Sequence, residues 1–376
     1  MIKIWIGRRE SDILTYMPNK FDYSISYYGS NNQKNNFSFD RQKRTFSRYN
    51  KDFYCFIIKC IEDICNDCLD YELYFYNNIL SRELENLQPS LKNHFRNCNN
   101  YSLIDWLNNK SYSRLWLSNS VNVPPFALLS KDECHIDNLS VIFPHYSEYI
   151  IQKNYSSGGK GTYHLTSNNE NIILNQLSSS EPYLASPYIA NAIAACCHVI
   201  IGSKNVIVFP IGFQILSEHM DTMTYLGTTY QKPNHLRITD LQIKEFILKI
   251  SHRLACNGYR GICGYDFLIQ EKQLILIEIN PRYMASSYLL NYVLAKENLP
   301  SLFDLNDMAF SNDMKLGIYQ KQIYNLNIPY VTKTAYYNET KTTSLPSKYI
   351  LLFNDGLDNA YAFENNAYMY RYIDKY

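Results

Sequence analysis

A cluster of oxygen-bearing side chains lies near residue 270, between two apolar runs. Residues 264–282 are predicted to form two antiparallel strands joined by a turn at Gln270–Gln273. In such a hairpin Asp266 lies opposite Glu278 and Asn280, and the two-residue repeat of a strand puts Glu278 and Asn280 on one face. Carboxylate and amide oxygens at this density suit Mg²⁺, which takes its remaining ligands from water and phosphates. The sequence therefore predicts a magnesium site formed by these three side chains.

The alternative for this hairpin is an exposed edge with solvated polar residues. The apolar run Leu274–Ile277 argues against it, because it indicates a strand that is buried on both faces. Acidic groups in buried strands need a partner. Arg282, two residues beyond Asn280, is placed to add a rigid fork of donors to bound phosphates.

A second candidate is the glycine-rich loop, residues 156–162, which follows a predicted strand. Gly158, Gly159 and Gly161 let backbone N–H groups turn inward and approach phosphate oxygens. The loop matches neither the P-loop spacing nor the dinucleotide-binding spacing. An ordinary glycine-rich turn is the alternative. In the functional interpretation the loop is a phosphate lid, and its hydroxyl donors are Ser156, Ser157 and Thr162.

The elements that would position these groups indicate an α/β protein. Apolar runs at Ile2–Ile6, Phe21–Tyr28 and Tyr71–Tyr76 are typical of strands, and Tyr54–Cys68 has apolar residues at helical spacing. Residues 1–105 are therefore predicted to form a small N-terminal parallel-sheet domain.

A second domain is expected over residues 106–310, with a lid subdomain at about 125–190. A short helix at Ser111–Ser118 is expected near its start, and a single helix, Asp240–Cys256, is expected among its strands. The predicted strands are Tyr149–Gln152, Leu184–Ile189, Asn205–Phe209, Tyr265–Ile269 and Leu274–Ile279. The apolar face of the single helix is expected to carry Leu241, Phe246, Ile247, Ile250 and Leu254. Residues 311–376 have short tyrosine-rich apolar runs to which no chemistry is assigned.

Composition limits the partners. The 376 residues are 46% hydrophobic, enough for two or three cores, and carry 36 Lys and Arg against 35 Asp and Glu. The net charge of +1 provides no broad cationic surface for nucleic acid or an anionic membrane. The N-terminus becomes polar at Arg8, too early for a signal peptide, and no stretch approaches about 18 apolar residues. A soluble cytoplasmic protein is expected.

The ten cysteines are expected to be reduced thiols in packed cores. Cys60, Cys65 and Cys68 have a spacing compatible with zinc. A zinc site needs a second pair of ligands, and His94 and Cys98 are the only ones suggested nearby. The structural interpretation is favoured, and a zinc site is the alternative.

The order of these motifs resembles the ATP-grasp superfamily. The resemblance covers about residues 110–291 and depends most on Glu278–Arg282 with Asp266 upstream. It implies that the predicted magnesium ligands hold Mg²⁺ and that the glycine-rich loop covers the phosphates of ATP. Lys110 resembles the lysine that enters the ATP cleft ahead of that loop.

The resemblance also implies the fold. An α/β domain would precede a two-lobed ATP-grasp domain in which antiparallel sheets cradle ATP. The segment Ala185–Ile189 lies where the family's hinge strand binds adenine through backbone groups. The residues implied in this contact are Ser186, Pro187, Tyr188 and Ile189.

One position departs from the family pattern. The family usually has lysine where Gln152 aligns, and here Lys153 follows instead. Adjacent strand residues face opposite ways, so only one of the two side chains faces the nucleotide. The sequence leaves open whether this is Gln152 or Lys153. If it is Gln152, Gln152→Lys is expected to tighten ATP binding. This departure resembles branches that modify amino acids or peptides, and Gly264 stands where the D-alanine ligase pattern has arginine.

The resemblance implies an ATP- and Mg²⁺-dependent ligase. It would activate a small-molecule or peptide carboxylate as an acyl phosphate and join it to an amine or another nucleophile, releasing ADP and phosphate. Lys110 and Arg282 would act as catalytic residues by countering phosphate charge, and Tyr225–Gly227 would line the acceptor pocket. The alternatives are another ATP-grasp reaction, such as phosphotransfer or carboxylation, and a non-catalytic nucleotide-binding protein. A homodimer also stays open.

Overall fold

The structure is a computed structural model that describes residues 1–13, 20–29, 35–39, 51–66, 70–156, 159, 161–219, 222–336, 345–354 and 368–376. Three residues singled out in the sequence lie outside this part of the chain: Cys68, Ser157 and Gly158.

The N-terminal part is a parallel sheet. Its strands are β1 (Ile2–Arg9), β2 (Tyr23–Tyr28), β3 (Asn36–Ser38) and β4 (Tyr71–Phe75), in the order β3-β2-β1-β4. The helices of this part are α1 (Lys51–Cys65) and α2 (Asn78–Leu87). The predicted parallel sheet is confirmed, and β3 is an additional strand.

The core of this sheet continues into later parts of the chain. Ile4, Trp5 and Ile6 in β1 are buried. The Trp5 ring packs edge-on against Tyr283 and Phe303, with centroid distances of 5.4 and 5.0 Å. The N-terminal sheet and the segment after residue 282 therefore share one hydrophobic core.

The remaining strands form one large antiparallel sheet. They are β5 (Ala127–Leu129), β6 (Tyr149–Lys153), β7 (Thr162–Leu165), β8 (Tyr183–Pro187), β9 (Ile193–Ile201), β10 (Val206–Val208), β11 (Gly212–His219), β12 (Thr222–Thr229), β13 (Gly261–Gln270), β14 (Gln273–Asn280), β15 (Tyr330–Tyr336), β16 (Leu351–Phe353) and β17 (Tyr368–Lys375). Within the described residues this is a 13-stranded sheet with the main path β14-β13-β9-β11-β12-β7-β6-β8-β5. The predicted mixed α/β fold with antiparallel sheets is confirmed.

The C-terminal tail is part of this sheet. Strand β15 pairs with β12 and β17, and β16 pairs with β17. The buried Arg371 in β17 donates to Asp12 Oδ1 at 2.6 Å and to Ser11 Oγ at 2.9 Å. The tail thus ties the N-terminal part to the large sheet.

The other helices are α3 (Tyr101–Asn108), α4 (Lys110–Leu117), α5 (Ile136–Ile142), α6 (Glu170–Gln176), α7 (Asp240–Cys256), α8 (Ser287–Lys296), α9 (Leu302–Ser311), α10 (Asp313–Gly317) and α11 (Gln320–Tyr324). Helix α7 begins where predicted, because Thr239 caps it by accepting from Gln242 N at 3.2 Å. The prediction of a single helix among the central strands was wrong, since α6 also lies there. In the described part of the chain, no helix is long and apolar enough to cross a membrane.

The predicted apolar face of α7 was wrong at one position. Leu241 is 64% exposed, and Ile243 is buried instead. The buried face follows steps of three and four residues from Ile243 through Phe246, Ile247 and Ile250. Leu241 is out of this register and therefore faces solvent.

Candidate active site

The hairpin predicted to bind metal is present as β13 and β14. Asp266 pairs with Glu278 across the strands, and Asn280 pairs with Gly264. Asn280 Nδ2 donates to Asp266 Oδ2 at 2.8 Å, and Gln214 Nε2 donates to Asp266 Oδ1 at 2.8 Å. The structure therefore brings Asp266, Glu278 and Asn280 together, and we refer to them as the acidic cluster.

The electrostatics of the acidic cluster favour a bound cation. Burial and the neighbouring Glu278 raise the pKa of Asp266 to about 7. Lys110 Nζ lies 3.3 Å from Glu278 Oε1, and burial lowers the pKa of this lysine while Glu278 opposes the shift. A second positive charge near Asp266 would stabilise both carboxylates in their ionised forms. The all-oxygen donor set fits a hard ion such as Mg²⁺.

The zinc alternative rests on ligands with other structural roles. Burial raises the pKa of the Cys60 thiol to about 12, and the His94 ring stacks on Tyr71 with its Nδ1 3.0 Å from Tyr71 O. Among the described residues, no group of three His, Cys, Asp or Glu side chains is arranged to hold a metal ion. The acidic cluster has only two carboxylates and uses an amide as its third donor.

Helix α4 places Lys110 between the glycine-rich loop and the acidic cluster. Asn109 caps this helix by accepting from Tyr112 N at 3.0 Å. Lys110 Nζ donates to Ser156 O at 2.9 Å and to Ser156 Oγ at 3.2 Å, in addition to its contact with Glu278. The lysine thus links the loop to the β13–β14 hairpin.

Part of the glycine-rich loop lines the cavity above the acidic cluster. This cavity, of about 240 Å³, is bordered by Ser156, Gly159 and Thr162 together with the acidic cluster and Arg282. Gly159 has φ of +78°, and a Cβ atom there would overlap the carbonyl oxygen of Met223. Only glycine therefore allows the loop to lie this close to β12. Gly161 is also left-handed, with φ of +71°, but packs on the Lys153 side chain.

The strand β6 separates Gln152 from Lys153. Gln152 is buried, lines the cavity and donates from Nε2 to Thr162 Oγ1 at 3.3 Å. Lys153 forms an ion pair with Glu181, and both side chains are partly exposed. The structure therefore places Gln152 in the cavity of the acidic cluster and Lys153 outside it.

A residue that the sequence analysis missed is Arg114, one turn after Lys110 on α4. Arg114 is 2% exposed; its Nη2 donates to Gln152 Oε1 at 2.9 Å and its Nε to Ile277 O at 3.0 Å. Burial lowers the pKa of this guanidinium to about 10, while Glu278 opposes the shift. A positive charge thus lies directly behind Gln152. The four-residue spacing of Lys110 and Arg114 is the sequence signal that places both on one helix face.

The predicted hinge residues line a different cavity, of about 760 Å³. Pro187, Tyr188 and Ile189 border it together with the hairpin residue Ile275. Ser186 borders neither cavity; it is buried and pairs with Ile150 in β6. Ile275 borders the larger cavity and Ile277 the smaller one, and these residues lie two positions apart on β14. The two cavities therefore lie along the same strand.

The N-terminal sheet closes the far side of the smaller cavity. Arg8 and Arg9, at the end of β1, border it, as do Tyr76 and Asn77 after β4. An isolated bridge joins Asn77 to Arg282. The Arg282 guanidinium donates from Nη2 to Asn280 Oδ1 at 2.7 Å, which holds it beside the acidic cluster.

The proposed acceptor segment is only partly in this cavity. Tyr225 borders it, and its hydroxyl lies 2.8 Å from Thr228 Oγ1. Gly227 instead packs against β15, where a Cβ atom would overlap the Thr332 carbonyl oxygen. The glycine thus serves strand packing and Tyr225 faces the cavity.

Comparison with known proteins gives the same type of domain. Residues 107–286 match the family model described as an ATP-grasp domain. No curated protein sequence matches the chain.

Solved structures are similar over the full length of the chain. The ADP complex of PurK, an N5-carboxyaminoimidazole ribonucleotide synthetase, has 12% identity and a TM-score of 0.65, covering 100% of this chain and 92% of that chain. The biotin carboxylase domain of Hydrogenobacter thermophilus 2-oxoglutarate carboxylase, with MgADP and bicarbonate, has 12% identity and a TM-score of 0.67, covering 100% and 86%. Aspergillus clavatus N5-carboxyaminoimidazole synthase, with ADP and 5-aminoimidazole ribonucleotide, has 12% identity and a TM-score of 0.63, covering 100% and 94%. At these identities the similarity shows the fold. The ATP-grasp domain model matches residues 107–286, and the chain as a whole has the fold of these solved structures.

Proposed function

We propose that this chain is an ATP- and Mg²⁺-dependent ligase that activates a substrate carboxylate as an acyl phosphate and joins it to an amine or another nucleophile, with release of ADP and phosphate. The observation that carries the proposal is the convergence of Asp266, Glu278 and Asn280 with the glycine-rich loop in one cavity. The similar structures support it, since they hold MgADP, bicarbonate and 5-aminoimidazole ribonucleotide, which include an acid and an amine.

The two cavities suggest how a nucleotide would lie. The larger one, bordered by Pro187, Tyr188 and Ile189, would take the adenine, and the smaller one would take the phosphates. Strand β14 borders both, which is consistent with a ligand that extends along it. Ser186 would act through the backbone pairing of β8 rather than through its side chain.

Each polar group of the smaller cavity has a proposed task. Bound ATP supplies the phosphoryl group that makes the carboxylate reactive. The acidic cluster would hold Mg²⁺, and Lys110 and Arg282 would counter the remaining negative charge. Gln152, Ser156 and Thr162 would donate hydrogen bonds to phosphate oxygens, as would Ser157, and Gly158 would let backbone N–H groups approach them. Lys153, which pairs with Glu181 outside the cavity, would not contact the phosphates in this arrangement. Catalysis would consist of positioning and charge neutralisation.

The domain division follows from the same proposal. Residues 1–105 would form the N-terminal domain, 106–310 the ATP-grasp domain with its lid at about 125–190, and 311–376 the C-terminal extension. Strand β15 of that extension pairs with β12, so the extension would act as part of the sheet that carries the acceptor side of the site.

The test is ADP release in the presence of Mg²⁺, ATP, an amine and a panel of small acids that includes bicarbonate. An acid-dependent release of ADP is expected, and hydroxylamine should trap the activated acid as a hydroxamate. Glu278→Gln should reduce turnover at least about 100-fold, because it removes one of two charges that hold Mg²⁺. Glu271→Gln, at the exposed turn of the same hairpin, is the matched control and should leave turnover unchanged. Unaltered turnover in Glu278→Gln would contradict the metal role.

A non-catalytic nucleotide-binding protein is the competing function. It would bind ATP and release no ADP with any acid. The paired carboxylates argue against it, because burial and the neighbouring Glu278 raise the pKa of Asp266, and the ionised pair is unfavourable without a cation.

A further inference from the structure

We infer that the end of the smaller cavity formed by the N-terminal sheet is an anion-binding subsite, which selects an acid carrying a second anionic group, a carboxylate or a phosphate, away from the reacting carboxylate. The inference rests on the proposed function, since it concerns the acid that the ligase would activate. The residue that carries it is Arg9.

Arg9 is a buried cation with little local compensation. It is 5% exposed, its guanidinium carbon lies 4.3 Å from the centre of the Tyr368 ring, and no described residue hydrogen-bonds its Nε. Among the described residues, Asp12 is the carboxylate with the largest influence on its pKa, and Asp12 already pairs with Arg371 at 2.6 Å. A buried charge without an anion of its own is costly, so a ligand anion would stabilise it.

The ionisation of Arg9 supports this interpretation. Burial lowers the pKa of its guanidinium, but Tyr368, Asp12 and Tyr336 outweigh this effect and hold the pKa above its ordinary value. Arg9 therefore keeps its charge at neutral pH. Burial and the adjacent Arg9 together lower the pKa of Arg8, which shows that positive charge is concentrated at this end of β1.

The charged groups of the cavity come from different elements. The described lining includes three guanidinium groups, those of Arg8, Arg9 and Arg282, and two carboxylates, those of Asp266 and Glu278. Both carboxylates belong to the acidic cluster, and Arg282 is hydrogen-bonded to Asn280 beside them. The end near the N-terminal sheet therefore carries positive charge and no carboxylate among the described residues.

The hydrophobic part of the lining has no charge. It includes Leu216, Met223, Tyr225, Met284 and Tyr336. No further carboxylate of the described lining would receive an ammonium group, so a neutral α-amino acid fits less well than a diacid or a phosphorylated acid. The carboxylate near the acidic cluster would react, and the second anion would bind Arg9.

The experiment measures binding without turnover. Calorimetry with the full chain, Mg²⁺ and the non-hydrolysable nucleotide AMP-PNP would compare the affinities of three acids of similar length. Two of them, glutarate and 3-phosphonopropionate, carry a second anionic group, and the third, pentanoate, is a monoacid. At least one dianion should bind about 10- to 100-fold more tightly than pentanoate, the gain of one charge-assisted contact. Whether glutarate or 3-phosphonopropionate binds better distinguishes a carboxylate from a phosphate subsite.

The variants locate the effect. Arg9→Gln should remove the preference for the dianion, Arg9→Lys should keep part of it, and the exposed Arg237→Gln is the matched control that should retain it. Melting temperatures show whether each variant folds. If Arg9→Gln does not fold, the inference is tested by the affinities of the wild-type chain for the three probes and by those of Arg9→Lys.

Two results would overturn the inference. One is the absence of any dianion preference in the wild-type chain. The other is a loss of AMP-PNP affinity in Arg9→Gln as large as the loss of dianion affinity, which would assign Arg9 to the nucleotide. Failure of the wild-type chain to bind AMP-PNP with Mg²⁺ would instead contradict the proposed function.

Discussion

Replacing Gln152 by lysine is expected to destabilise the fold, and removing Arg114 at the same time is expected to restore part of the lost stability. The sequence alone suggests a different result, a gain in ATP affinity from Gln152→Lys. The structure changes this expectation because Arg114 Nη2 lies 2.9 Å from Gln152 Oε1. The substitution would place a second cation beside a guanidinium that is only 2% exposed.

The size of the effect follows from Coulomb's law. Two unit charges about 4 Å apart repel each other by about 4 kcal/mol at an effective dielectric constant of about 20. Arg114→Met removes a charge but leaves the Ile277 carbonyl and the Gln152 amide without a donor, at a cost of about 1–3 kcal/mol for each buried acceptor. In the double variant the repulsion is absent. It should therefore be about 4 kcal/mol more stable than the sum of the single changes predicts.

The assay is a double-mutant cycle in urea without nucleotide, because bound phosphates would offset part of the repulsion. ATP affinity at fixed Mg²⁺ would then be measured by calorimetry for each protein that folds. Lys153→Gln is the control on the opposite face of β6, where the partly exposed pair with Glu181 should contribute at most about 1 kcal/mol. Free energies that add within about 0.5 kcal/mol would refute the coupling, as would tighter ATP binding by Gln152→Lys without loss of stability.

Three further predictions concern the loop, the core and the tail. Gly159→Ala should weaken ATP binding at least about tenfold, because the added Cβ would displace the loop from Met223. Gly258→Ala is the control: Gly258 also has a positive φ but no atom near the position of the added Cβ, so the change should cost only about 1 kcal/mol of stability and leave ATP affinity unchanged. Burial lowers the pKa of His198 to about 3, so the stability that the neutral imidazole contributes is fully present above about pH 6.5 and is lost as the pH falls toward 3. Between pH 7 and pH 5 the free energy of unfolding in urea should therefore fall by about 2 kcal/mol less in His198→Phe than in the wild type. Equal decreases in the two proteins would contradict this prediction. Asp12→Asn should lower the free energy of unfolding by about 3 kcal/mol because it removes the carboxylate that pairs with the buried Arg371. Lys232→Gln, which breaks an exposed pair with Asp240, should change it by less than about 1 kcal/mol.

The sequence by itself determined the features that depend on local periodicity and on turns. The hairpin around Gln270–Gln273 was predictable because two apolar runs flank a short polar turn, and its register then fixed Asp266 opposite Glu278. Helix α7 was predictable at its start because Thr239 and Gln242 form a capping box. The placement of Gln152 and Lys153 on opposite sides of β6 follows from the pleat alone, although the sequence does not say which side faces the cavity.

Only the tertiary structure decided which distant groups meet these local elements. Arg114 reaches Gln152 and Ile277 because α4 packs on β14, and Arg9 reaches the cavity because the end of the N-terminal sheet closes over it. The tail is positioned by the pairing of β15 with β12 and by the contact of Arg371 with Asp12. Arg371 and Asp12 are more than 300 residues apart in the sequence. Strand pairing and the compensation of buried charge depend on residues that are close in space but distant in sequence. Local patterns in a single sequence do not identify these contacts.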